Sequence, residues 1–282
     1  MQFDSNRAWT EAVAVTRANL DVLMAVAGVF FLLPALGWNI LLSDVLEQAG
    51  ALAKNEAALQ AYMSAHAGFI LIVTLGATLV QYVGYLACTV LLADRTHPTV
   101  GEALARALRA TPTLLGTTLL YMLGLMLVFF LAMLLVSLGG VAGGKAGAAL
   151  MGTIALAALL VGAVFTSVRL SLQIPVIMRE GVANPLAVMR RSWHLTQGHS
   201  LGLFGFFAIL AVAYVVISLL ISLFVITPIT FAIGTGAIAT FLSSLVAGVI
   251  GAVSSVLMIA LLTRIHAQLS DDLPERQAKT FE

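Results

Sequence analysis

Residues 201–226 read Leu-Gly-Leu-Phe-Gly-Phe-Phe-Ala-Ile-Leu-Ala-Val-Ala-Tyr-Val-Val-Ile-Ser-Leu-Leu-Ile-Ser-Leu-Phe-Val-Ile, without one charged side chain. A hydrocarbon layer about 30 Å thick is crossed by about 20 helical residues. Lipid offers the backbone no hydrogen-bond partner, so a run of this kind must be helical. Working outward, five more runs are long enough: Leu20–Leu42, Ala67–Ala93, Thr113–Leu138 and Ala148–Leu170 before it, and Phe231–Leu262 after it. Hydrophobic residues make up 61% of the 282 and charged residues 10%. The mean hydropathy is +1.05. A soluble domain carries roughly 25% charged residues, so the expected fold class is all-α, an integral membrane bundle of six transmembrane helices.

The cations choose a side. Numbering the gaps and tails alternately from the N-terminus, one set holds Arg7, Arg17, Arg95, Arg106, Arg109, Arg169, Arg179, Arg190, Arg191, Arg264, Arg276 and Lys279. The other holds only Lys54 and Lys145. The positive-inside rule then predicts both termini in the cytoplasm, which an even number of spans also requires. The first run, about 23 residues long, exceeds the 7–15 of a signal-peptide core and reads as a retained span. Abundant Ala, Gly, Leu and Val fit a bacterial inner membrane. Net charge of +1 argues against a nucleic-acid partner. The lone Cys88 excludes an internal disulfide.

Three amphipathic stretches precede the odd-numbered spans, and each is expected to lie as a short interfacial helix on the cytoplasmic face. In Ser5–Ala18, Trp9, Ala12, Val13 and Thr16 share one side. In Thr99–Ala110, Thr99 and Glu102 form a capping box after Pro98, and Glu102, Arg106 and Arg109 make a polar stripe. In Pro185–Gln197, Asn184 suits the N-cap, Pro185 the first turn and Gly198 the stop. Leu186, Met189 and Trp193 face one way; Arg190, Arg191, His194 and Gln197 face the other. The pattern reads as a threefold hairpin repeat, of a kind frequent in transporters. Residues 1–270 form one six-span membrane domain and 271–282 a polar cytoplasmic tail. Of the outer gaps, Ser43–His66 is expected to hold a short helix, Gly139–Gly147 to be a flexible loop, and Thr227–Thr230 with Pro228 to be a tight turn.

The stretch from Arg169 to Phe207 contains Arg-Leu-Ser-Leu-Gln-Ile-Pro, then Arg179-Glu-Gly, then Ser192-Trp-His-Leu-Thr-Gln-Gly before a new apolar run. It resembles the membrane domain of bacterial glycerophosphoryl diester phosphodiesterases and the stand-alone YciC-like six-span inner-membrane protein family. Pro98–Pro112, with its Thr-Val-Gly-Glu-Ala-Leu, is similar to the matching element before the third span. The resemblance implies fold and location. Where that domain is fused to an enzyme, catalysis belongs to a separate soluble barrel, which the 20 residues after the last span are not expected to hold. Hydrolase activity is therefore not carried over.

No catalytic machinery is evident in the residues. His66, His97, His194, His199 and His266 are scattered, without carboxylate or Cys at ligand spacing, so no metal or other cofactor is expected. Neither a Gly-x-Ser-x-Gly elbow nor paired carboxylates on one helix occur. Gly139–Ala146 approaches a P-loop, but Ala146 stands where Ser or Thr would hold magnesium. The candidate contact residues are Arg106, Arg109, Arg190, Arg191 and Trp193, which would meet anionic membrane lipids or a protein partner, or simply set topology. Arg169 and Gln81 are polar groups at depth. Arg169 either lines a polar cavity or snorkels to the interface. Gln81 either bonds across helices or marks a transport site. The small residues Ser244, Gly248, Ala252 and Ser255 suit close packing, within the chain or in a homodimer. The expected function is non-enzymatic organisation of lipid or a partner at the cytoplasmic face; the alternatives are a transporter or channel for a small or lipid-like molecule, and, least favoured, a membrane-embedded enzyme.

Overall fold

The computed structural model describes residues 3–93, 98–234 and 236–280, with 271–280 by their backbone only. Arg95 and His97 lie outside the described residues, as do the side chains of Arg276 and Lys279. Among the described residues there are helices and no strands. Five stretches are long and apolar enough to cross a membrane: Leu20–Ala51, Glu56–Ala93, Val100–Glu180, Ser200–Ile233 and Ala237–Ser270. Their outward side chains are strongly apolar; Met126, Val161 and Ile209 are each 70% exposed. A water-facing surface does not present so many large apolar groups together, and a lipid-facing one does.

In chain order the helices are α1 (Ser5–Ala18), α2 (Leu20–Ala51), α3 (Glu56–Ala93), α4 (Val100–Arg169), α5 (Gln173–Glu180), α6 (Pro185–Leu195), α7 (Ser200–Ile233) and α8 (Ala237–Thr280). Two of them widen locally, α2 at Gly28–Leu32 and α7 at Ser222–Ile226. Each widened turn ends two residues before a proline, Pro34 or Pro228. Proline has no N–H for the carbonyl four residues back, and a π-type turn lets the helix continue past that gap. At the second site the Thr227 hydroxyl donates to the Ser222 carbonyl at 2.9 Å. Thr227–Thr230 is therefore helical rather than the expected tight turn. The break falls instead at Gly234, whose φ of 77° is open to glycine and strained for other residues.

α4 is one continuous helix by its backbone bonding but not in its path. Gly144 departs from helical geometry at φ 59°, ψ −147°. The Tyr121 and Ser167 hydroxyls are hydrogen-bonded at 3.0 Å although 46 residues apart; at 1.5 Å per residue a straight helix would separate them by roughly 70 Å. The chain thus reverses around Gly144, and Gly139 and Gly147 face one another so closely that a Cβ on either would strike the other's backbone. The expected flexible loop at Gly139–Gly147 is helical up to a single reversing glycine. Thr99–Ala110 also differs from expectation. Its capping box is present, with the Thr99 N–H donating to Glu102 Oε2 at 3.0 Å and the Glu102 N–H to Thr99 Oγ1 at 3.3 Å. The helix then runs straight through Pro112 instead of ending before the span. Residues 52–55 interrupt the first outer gap, and the helices on either side fill the rest of it.

The chain divides into two compact units, Met1–Trp9, Arg109–Phe207 and Leu262–Glu282 in one, Thr10–Leu108 and Ala208–Leu261 in the other. In the second unit α2 and α3 run antiparallel. The Phe31 and Tyr85 rings lie 4.9 Å apart, and seven residues on, Trp38 Nε1 donates to Thr74 Oγ1 at 3.2 Å. Gly84 admits the Phe30 and Phe31 side chains, and Gly248 of α8 admits Leu32. Gly248, in the small-residue face of the last span, thus serves close packing within the chain. In the first unit, the core gathers Leu170, Leu172, Val176, Val188, Leu203 and Ile265, all buried.

The glycine pair makes a sharp prediction. Gly147→Val should lower stability by about 1–3 kcal/mol through overpacking, while Gly143→Val, where an added Cβ meets nothing, should leave it near the parent value. Thermal unfolding in detergent compares the two directly.

Candidate functional site

A densely bonded polar region lies in the first unit, where α4 ends and α5, α6 and the first unit's part of α8 meet. It is built from local sequence. The Asn184 side chain accepts from the Leu186 and Ala187 amides at 2.9 and 3.4 Å, and Pro185 occupies the first turn, so α6 starts where its capping sequence predicts. Gly181 closes α5 in the left-handed region at φ 67°, and Gly198 follows α6 at φ 87°. The linker before α6 is tied to the start of α4's transmembrane part: Thr113 Oγ1 donates to the Ala183 carbonyl at 3.1 Å, and Gly116 leaves room for the Pro185 ring.

Arg169 joins α4 to α6 through both its backbone and its side chain. Its carbonyl accepts from Ser192 Oγ at 2.9 Å and from Thr196 Oγ1 at 3.3 Å. Those bonds cap a carbonyl that the end of α4 would otherwise leave unmet. The guanidinium lies over two rings, 5.1 Å from the centroid of Phe165 and 5.1 Å from that of Trp193. Its Nη1 donates to the Trp193 carbonyl at 3.4 Å. Such placement in a corner of two aromatic rings suits the weakly hydrated, planar guanidinium.

Glu180, at the end of α5, ties three helices. Its Oε2 accepts from Arg191 Nε of α6 at 2.6 Å, and its Oε1 pairs with His266 Nε2 of α8 at 2.9 Å. His266 is buried, and its Nδ1 has no hydrogen-bond partner. Beside it Arg179 Nη1 donates to the Thr263 carbonyl at 3.4 Å. Neither Glu180 nor His266 stands out in the sequence as a site residue. The Glu-Gly step was visible as part of the family-like motif, but its partner lies 86 residues away.

The sequence-derived contact residues separate into different situations. Arg191 is engaged with Glu180. Trp193 is 39% exposed and holds Arg169. Arg190 is exposed, and among the described residues no carboxylate pairs with it. Arg106 and Arg109 are exposed on α4, three residues apart. In the second unit Gln81 lines a cavity of about 260 Å³ with Asn39, Ser255, Phe31 and the small residues Gly248 and Gly251. Arg169 is laid against aromatic rings. Among the described residues no three His, Cys, Asp or Glu converge in a way that could hold a metal ion.

Comparison with family models, with curated proteins and with solved structures returns no match for this chain.

Replacing Glu180 with Gln keeps its shape and removes its charge. The join between α5, α6 and α8 should loosen, read as faster amide hydrogen exchange in Pro185–Leu195 and around His266, while exchange in α2 and α3 stays at the parent rate.

Proposed function

We propose that this chain is a six-span bacterial inner-membrane protein, with both termini cytoplasmic, that organises anionic lipid or a protein partner at the cytoplasmic face without catalysing a reaction. The count of six takes the two arms of α4 as separate crossings, which the reversal at Gly144 supports. Orientation follows the one-sided distribution of Lys and Arg. The family resemblance agrees with this layout, and membership of that family is part of the proposal.

The observation that carries the functional reading is the state of α6. It is pinned along one side by Arg169 and Glu180, and it presents Arg190 outward beside a half-exposed Trp193. An aromatic at headgroup level and an unneutralised cation next to it suit the negatively charged inner leaflet, where each cation near the surface is worth about 1 kcal/mol. Arg106 and Arg109 extend the same chemistry on α4. Changing Arg106, Arg109, Arg190 and Arg191 together to Gln should reduce the anionic lipid retained in native mass spectrometry about tenfold or more. Unchanged lipid retention together with an unchanged pull-down profile would sink the proposal.

A second reading, passage of a small or lipid-like molecule, is favoured by the Gln81 cavity, because a mid-span amide, Asn39 and Ser255 share one space. It expects Gln81→Cys to react with a small charged thiol reagent added in water. The native Cys88, fully buried, should stay unlabelled in the parent protein. A Gln81→Cys variant that labels no faster than the parent would remove the support for this reading.

A further inference from the structure

We propose that the groove between residues 160–168 of α4 and 200–204 of α7 is a phospholipid site, with an acyl chain in the groove and the phosphate on Arg169. This rests on the membrane-spanning reading above and not on the four arginines that test it.

The groove has a volume of about 390 Å³ and is walled by Leu160, Val161, Val164, Phe165, Leu201 and Phe204, with Val168 and Ser200 at one end. From Leu160 to Val168 it runs roughly 12 Å at 1.5 Å per residue, and its lining is apolar apart from Ser200. An apolar groove alone would take any hydrocarbon. What selects among hydrocarbons is the group beside its Val168 end. Arg169 follows Val168 directly, and Phe165 both lines the groove and carries the Arg169 guanidinium on its ring face. Trp193 forms the adjoining wall of a corner around that cation and meets Phe165 edge to face at 5.7 Å.

The guanidinium is fixed in place but not neutralised. Of its five N–H donors, one reaches the Trp193 carbonyl at 3.4 Å, and Nε is buried without a partner. Among the described residues no carboxylate pairs with Arg169. A held, uncompensated guanidinium favours a bidentate oxyanion. At the boundary of the hydrocarbon layer, continuous with an acyl-sized groove, that oxyanion is the phosphodiester of a phospholipid. The net charge of the headgroup should matter little, because the contact is to the phosphate itself. The exposed Arg190 differs here: it answers to the overall charge of the membrane surface.

The test uses the full chain in nanodiscs containing a phosphatidylcholine with a diazirine on one acyl chain, photolysed and mapped by peptide mass spectrometry. Labelling should concentrate in residues 160–168 and 200–204. On the unaltered protein, excess unlabelled phosphatidylcholine should suppress it and diacylglycerol, which lacks phosphate, should not; equal suppression by both would overturn the proposal. Arg169→Gln should lower the groove labelling about tenfold, the loss of one charge-assisted contact, and Val164→Trp should abolish it by filling the groove. Full labelling in both variants would also overturn it. A triple change of Arg106, Arg109 and Arg190 to Gln, which keeps the Arg191–Glu180 pair, should leave groove labelling intact while anionic-lipid retention falls, so that failure of this site and failure of the surface reading give opposite patterns.

Discussion

A backbone amide placed in hydrocarbon must find its partner within its own segment, and every long element of this chain answers to that constraint. It is why the described residues hold helices and no strands, and why the helices persist through residues that break helices elsewhere. Pro34 and Pro228 are each preceded by a widened turn, and a threonine hydroxyl supplements the bonding at the second. The reversal of α4 is compressed into one glycine between two others that touch. An irregular loop would expose carbonyls and amides, and a reversal of one residue exposes few.

The same constraint shapes the polar region around Arg169. The end of a spanning helix leaves carbonyls unmet, and here Ser192 and Thr196 of α6 supply hydroxyls to the last of them. An amphipathic helix is thereby fastened to the end of a span, and Glu180 fastens it again to α5 and α8. The result is a rigid polar border in which some cations are satisfied internally and others, Arg190 and Arg169, are left with charge to offer. Structural fastening and the candidate contact residues thus share one short segment of chain.

Much of this border was legible in the sequence. Asn184, Pro185 and Gly198 delimit α6 through local hydrogen bonds and backbone preferences, and those act within a few residues. The Thr99–Glu102 box was legible for the same reason. The continuation of α4 past Ala110 was not, because a capping box marks where a helix starts and carries nothing about where it ends. The turn expected at Pro228 failed likewise: proline removes one donor, and whether the chain breaks or widens there depends on what its neighbours can supply.

The sequence by itself determined the all-helical, strongly apolar character of the chain, the uneven spread of its cations among the apolar runs and the ends of α6, since hydropathy, charge and capping are properties of neighbouring residues. Tertiary structure alone decided which polar groups meet. The pairing of Glu180 with His266 spans 86 positions, the stacking of Arg169 on Trp193 spans 24, and the cavity at Gln81 needs small residues from α8 on its far wall. Such contacts are set by how helices pack across the fold, and no periodicity within one segment records them.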